Sequence, residues 1–205
     1  MALQSDLLGA AALGVVNVLA LTGDHISFGD HHQAKAVFDL DSVQLLETIA
    51  TLGGGKDLAG NTLHGIPLFY PGAAAAPEAE PFPLTLYKLE KKVAAGARFF
   101  QTQAVFNPEK LREFSTEVRY LNVKIIAGIL LLKSAGMARY VNAHIPGLTV
   151  PANIIEELEN AFNPIAKGVE IARRFATEVK PICDGIHIMA MGREELIPEI
   201  IKEVR

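Results

Sequence analysis

Asn17-Val18-Leu19-Ala20-Leu21-Thr22-Gly23-Asp24 is the stretch on which the fold turns. An apolar run containing β-branched Val18 breaks at a glycine and delivers an acid. That pattern predicts a strand buried on both faces, as in a parallel sheet, with Asp24 at its carboxyl end. In parallel α/β proteins, ligands bind at that end. A polar loop, His25 to Lys35, follows, and then a second acidic pair, Asp39 and Asp41. Upstream, Ala2 to Leu13 has helical spacing, with Leu3, Leu7, Leu8 and Ala11 on one side and Gly14 as its stop.

Downstream, the same punctuation repeats. Asp39 or Asp41 is placed to cap a helix through Val43, Leu45, Leu46 and Ile49 that ends near Gly53-Gly54-Gly55. His64 to Tyr70 reads as a strand opening into the small-residue stretch Pro71 to Pro77, where a ligand can approach the backbone closely. A helix through Leu84, Leu86, Leu89, Lys92 and Val93 stops at Gly96. Arg98 to Gln103 reads as a strand, and Asn107-Pro108-Glu109 as a helix start reaching about Leu121. Val123 to Leu132 is a further strand. Helices are expected over about Ser134–Asn142, Pro151–Ala161 and Pro164–Val179, then a strand over Gly185–Ala190 and a closing helix over Arg193–Val204. Strand and helix alternate five times, which predicts an α/β fold with parallel strands, either a barrel or an open sheet. Eight β/α units usually take about 250 residues, and this chain has 205.

Composition narrows the function classes. Hydrophobic residues make up 50% of the chain, enough to fill a core, and the formal net charge is −4. There is no Lys/Arg-rich run, so neither nucleic acid nor an anionic membrane is expected as a partner. The single cysteine, Cys183, excludes an internal disulfide framework. Leu7 to Leu21 is too short for a membrane span, and the start lacks the basic region of a signal peptide. A cytoplasmic protein is expected.

Several polar residues invite chemistry. Asp24 suits an anionic site group, and a turn-forming or capping aspartate suits the same sequence. His25, His31 and His32 flank Asp24 and Asp30, but adjacent His31-His32 cannot easily reach one ion, so no metal site is expected. His187 lies inside an apolar strand and reads as a core histidine. Cys183 has no basic neighbour in sequence and reads as structural. Lys92 sits on a helix, which argues against a Schiff-base lysine facing a barrel centre.

Taken together, ordered pieces of the chain resemble the methylenetetrahydrofolate reductase family, flavin-dependent (β/α)8 barrels. They are Leu3 to Ala10, Asn17 to Asp24, Gly29-Asp30-His31 through Phe38-Asp39-Leu40-Asp41-Ser42-Val43, Lys92 to Ala97, Phe100-Gln101-Thr102-Gln103, Pro146 to Pro151 and Gly185 to Met189. They run in family order along nearly the whole chain. The resemblance implies a TIM-barrel type fold, here an N-terminally truncated barrel with about five parallel strands. Residues 1–205 would form a single partial barrel domain that binds flavin and folate. The family's first three β/α units, with its glutamate general acid, have no counterpart in this sequence.

The implied reaction is the FAD-dependent reduction of 5,10-methylenetetrahydrofolate to 5-methyltetrahydrofolate in one-carbon metabolism and methionine biosynthesis. Electrons would come from NAD(P)H or a partner redox protein. The alternative is a non-catalytic flavin- and folate-binding remnant or subunit completed by a partner chain. By resemblance, Asp24 is the catalytic carboxylate beside flavin and pterin, where an anion stabilises a cationic iminium on the folate. Gln103 matches a glutamine that contacts folate, since an amide donates and accepts at once; a solvent-facing strand end is the alternative. Lys92 matches a lysine near the flavin phosphates, with a solvated helix charge beside Lys91 as the alternative. Gly72, Ala73 and Ala74 match a loop against which FAD lies, and Thr22 and Gly23 match flavin contacts. Thr85 and Ala76 stand where other members carry an aspartate and a histidine. An open five-strand piece exposes two strand edges, so an oligomer or a covering partner chain is expected.

Overall fold

The computed structural model describes residues 1–205 except 32, 146, 203 and 205, with Phe28 described by its backbone alone. The elements are α1 (Ala2–Ala12), β1 (Asn17–Ala20), α2 (Ser42–Gly53), β2 (Tyr70–Ala75), α3 (Phe82–Ala94), β3 (Phe99–Ala104), α4 (Pro108–Glu117), β4 (Lys124–Leu130), α5 (Ala135–His144), α6 (Ala152–Glu159), α7 (Pro164–Val179), β5 (Gly185–Met189) and α8 (Ile197–Ile201). Five strands alternate with helices, and their order in the sheet, β1-β2-β3-β4-β5, is that of the chain. The expected α/β alternation is therefore present.

The chain divides into two compact units, Met1–Ala74 with Lys88–Phe99, and Ala75–Tyr87 with Phe100–Arg205. In the first, β1 pairs in parallel with β2, Asn17 opposite Tyr70 and Ala20 opposite Ala73. Leu46, Ile49, Leu52 and Leu89 are buried here, as are Ala20 and Ala73. The acid that caps α2 is Asp41: its Oδ1 accepts from Val43 and Gln44 N–H, each at 2.8 Å, and Gln44 Oε1 accepts from Asp41 N–H at 3.0 Å. This capping box satisfies backbone donors that the first turn would leave orphaned.

In the second unit, β4 and β5 pair in parallel, with Ile126 opposite Gly185 and Leu130 opposite Met189. Phe100, Phe114, Leu111, Ile129, Ile154 and Leu158 are fully buried. Asn107 caps α4 by accepting from Glu109 and Lys110 N–H at 3.1 and 3.2 Å. Asn163 caps α7 by accepting from Ala166 N–H at 3.1 Å. In both helices proline takes an early position, where its missing N–H costs nothing. The guanidinium of Arg174 forks onto the Glu157 carboxylate at 2.9 and 3.1 Å, joining α7 to α6.

Three expectations are corrected. The strand expected over His64–Tyr70 starts only at Tyr70, so much of the supposed opening is strand β2 itself. Pro67 has no N–H for a ladder and Gly65 has φ +95°, while Tyr70 N–H reaches Val16 O at 2.8 Å and begins the pairing. Strand β1 is not buried on both faces: Val18 and Leu19 are half-buried and Leu21 is exposed, because β1 has a neighbour on one side only. The closing helix is the five-residue α8, preceded by a 3-10 turn over Glu194–Leu196. Pro198 lies in its first turn and lacks the donor needed to continue a helix through it. Within the spans read in sequence, His32, Pro146 and Glu203 lie outside the described residues.

Candidate functional site

In the first unit, polar groups collect where β1 and β2 end. Past Ala20 the chain runs through Leu21 and Thr22, then turns at Gly23 with φ +81°, a conformation glycine adopts without strain. Thr22 Oγ1 accepts from Ser42 N–H at 3.1 Å, tying the end of β1 to the first turn of α2. Asp24 follows on the exposed side of that turn and makes no hydrogen bond or ion pair among the described residues. Its neighbour His25 folds locally, with Nδ1 accepting from Ser27 N–H at 3.2 Å. His31 Nδ1 lies 2.7 Å from Asp30 Oδ1. Among the described residues no three His, Cys, Asp or Glu side chains gather as metal ligands; His32 lies outside them.

Lys92, near the end of α3, reaches back 18 residues in sequence to donate to the Ala74 carbonyl at 2.7 Å. Burial, then repulsion from the Lys88 ammonium, pull its pKa below the ordinary lysine value, and the Asp41 carboxylate opposes that fall. An ammonium has three donors. Only one of them is spent within the described residues. Lys92 is therefore a half-buried cation beside the capped start of α2 rather than a solvated helix charge.

The small residues of β2 do different jobs. A Cβ on Gly72 would run into the Phe99 ring, 2.5 Å from Cε1 and nearer still to Cζ and Cε2. Phe99 stacks on Tyr70 at 5.9 Å between centroids. Gly72 thus makes room for an aromatic ring of the core. Ala73 is fully buried, and Ala74 is half-buried with its carbonyl turned to Lys92. Sequence reading named Lys92 and Ala74 separately; their hydrogen bond, the Thr22–Ser42 tie and the influence of Asp41 carry no local sequence signal.

In the second unit, Gln103 is a half-buried residue of β3, flanked by buried Thr102 and Ala104. Its amide makes no hydrogen bond among the described residues. Gly147, φ +80°, approaches closely enough that an added Cβ would lie 3.6 Å from Gln103 Oε1. The strand is fixed beneath: Thr102 Oγ1 accepts from Gly128 N–H at 2.9 Å, and Val105 N–H donates to Gly128 O at 2.9 Å. Thr85 Oγ1 donates to Ala79 O at 3.4 Å, a contact within its own loop and helix. His187 sits half-buried in β5, and Cys183 Sγ–H faces the carbonyls of Val179 and Gly185 at 3.2 and 3.1 Å. Burial pushes the Cys183 thiol up, away from the reactive thiolate.

Alternating strands and helices in chain order, with polar groups past the strand ends, define a β/α protein of the TIM-barrel type. A solved structure of this type, an uncharacterized protein from Clostridium thermocellum that binds two copies of 5-methyl-5,6,7,8-tetrahydrofolic acid, shares the fold. It aligns with TM-score 0.54 and 17% identity over 91% of this chain and 71% of that one. The chain belongs to the methylenetetrahydrofolate reductase family, whose model matches residues 1–205. A probable methylenetetrahydrofolate reductase (NADPH) of Caenorhabditis elegans is 27% identical over 95% of this chain. Methylenetetrahydrofolate reductase 2 of Schizosaccharomyces pombe is 26% identical over 94%. The chain spans 29% and 32% of the lengths of these two relatives.

Proposed function

We propose that this chain carries the flavin- and folate-binding groups of an enzyme that reduces 5,10-methylenetetrahydrofolate to 5-methyltetrahydrofolate. The supporting observation is Lys92: a half-buried ammonium held by the Ala74 carbonyl, with two donors unused among the described residues, where β2 ends. The FAD implied by the family brings a pyrophosphate, and such a cation fits it. Thr22, Gly23 and the half-buried Ala74 would line the same cofactor, while Gly72 and Ala73, buried in β2, support the strand that carries Ala74. When bound, the flavin supplies the hydride.

The chain's own groups bind and polarise. Asp24 is an exposed carboxylate, unpaired among the described residues, whose field strengthens once a ligand covers it and excludes water. There it stabilises positive charge on the folate and so acts on the reacting atoms. Gln103 presents an amide with no hydrogen bond among the described residues, able to donate to and accept from a pterin edge. Reducing equivalents come from NAD(P)H or a partner redox protein. No helix among the described residues is long and apolar enough to cross a membrane, in keeping with a cytoplasmic enzyme.

The open edge of β1 favours an assembly as the working form. Leu13, Val15, Val16 and Leu21 are exposed around a strand that pairs on one side only. Among the described residues β1 pairs with β2 alone, and such an edge is a template for another chain, so an oligomer or a covering partner is part of the proposal. The test is titration of the purified protein with FAD and, separately, with 5-methyltetrahydrofolate. Lys92→Met weakens FAD binding and spares folate; Gln103→Ala does the reverse. Folate binding with no flavin binding would leave a folate-binding subunit as the function.

A further inference from the structure

We infer that Glu78 is a positioning residue that straps the loop after β2 to the carboxyl end of β3, a role that rests on Gln103 serving folate as proposed above. Its Oε1 accepts from Phe106 N–H at 3.3 Å and from Asn107 N–H at 3.2 Å, across 28 and 29 residues of sequence. These two donors sit just ahead of α4, where a helix cannot supply them with acceptors. The Asn107 side chain cannot help, because it is spent on Glu109 and Lys110. A carboxylate shared between two backbone N–H groups is a charge-assisted bond, stronger than its neutral equivalent.

Val105 is fixed to Gly128, and the buried Phe106 ring packs edge-on against Phe175 at 6.0 Å. Glu78 adds the one hydrogen-bonded hold from the Ala76–Pro81 loop that is seen among the described residues. The loop and the segment that follows β3, three and four residues beyond Gln103, then move as one body.

Hydrogen exchange and folate affinity, measured on Glu78→Ala and Glu78→Gln, test this. A glutamine oxygen can accept the same two bonds. In Glu78→Ala the Phe106 and Asn107 amides exchange roughly tenfold faster, while Ile129 in β4 is unchanged. The same variant binds 5-methyltetrahydrofolate about fivefold more weakly, and Glu78→Gln restores both readings to near wild type. Unchanged exchange in Glu78→Ala overturns the strap. Faster exchange with unchanged affinity overturns its positioning role. A wild-type chain that binds no folate refutes the functional reading instead, and the exchange rates alone then decide whether the strap exists.

Discussion

Gly128→Ala is the substitution whose cost the structure specifies most fully. A Cβ there would lie 2.6 Å from Thr102 O, 2.7 Å from Gln103 O and 2.8 Å from Met189 Cε. The methionine end can swing away; the two β3 carbonyls are backbone and cannot. Carbon–oxygen contacts settle at about 3.3–3.6 Å, so β3 and β4 must part by roughly 0.7 Å there. Two bonds of 2.9 Å, Gly128 N–H to Thr102 Oγ1 and Val105 N–H to Gly128 O, would stretch past useful length. Each is worth about 1 kcal/mol net, and overpacking adds about 1–3 kcal/mol. The expected loss is about 3–5 kcal/mol, a large part of the roughly 5–15 kcal/mol that holds a protein folded. Urea unfolding followed by circular dichroism measures it. A loss below about 1 kcal/mol would refute the claim that Gly128 is glycine because the β3 backbone fills its Cβ position.

Other outcomes follow from single contacts. Gly9, inside α1, has nothing within 4 Å of an added Cβ, so Gly9→Ala should stabilise by about 0.5–1 kcal/mol in the same assay; destabilisation would mean that the helix face is covered. Asp41→Ala should cost about 1–2 kcal/mol through loss of the α2 cap, with Asp41→Asn within about 0.5 kcal/mol of wild type. Equal losses in the two would shift the cause from the cap to the charge. Lys92 releases its proton more readily folded than unfolded. As pH rises toward the ordinary lysine value, the unfolded chain therefore holds more protons, and the Lys92 contribution to stability rises. The unfolding free energy of wild type should gain on that of Lys92→Met across that alkaline range; a constant difference between them would contradict the burial of the ammonium.

What could be read from sequence was what local chemistry encodes. Asp41, Asn107 and Gly96 mark helix ends because caps and left-handed turns depend on one residue and its near neighbours. The alternation that implies parallel strands was equally plain. Strand β2 was placed too early because Tyr70-Pro71-Gly72-Ala73-Ala74-Ala75 has little strand propensity; burial and pairing with β1 set it instead. The partial exposure of β1 was hidden, since an apolar run does not say whether both of its edges have neighbours. At the site, the ordered motifs named Asp24, Gln103 and Lys92. The Lys92–Ala74 bond and the Glu78 strap join residues 18 and 28–29 apart, and no pattern within a turn or strand announces them.

Lys92 is the group through which the chain is proposed to hold its cofactor. The most direct measurement is the visible spectrum of the purified protein after FAD is added and unbound flavin removed, for wild type and Lys92→Met. A flavin band is expected to remain in wild type and to be clearly lost in Lys92→Met, with Gln103→Ala like wild type. A wild-type protein that retains no flavin, or a Lys92→Met variant that retains as much, would contradict that role.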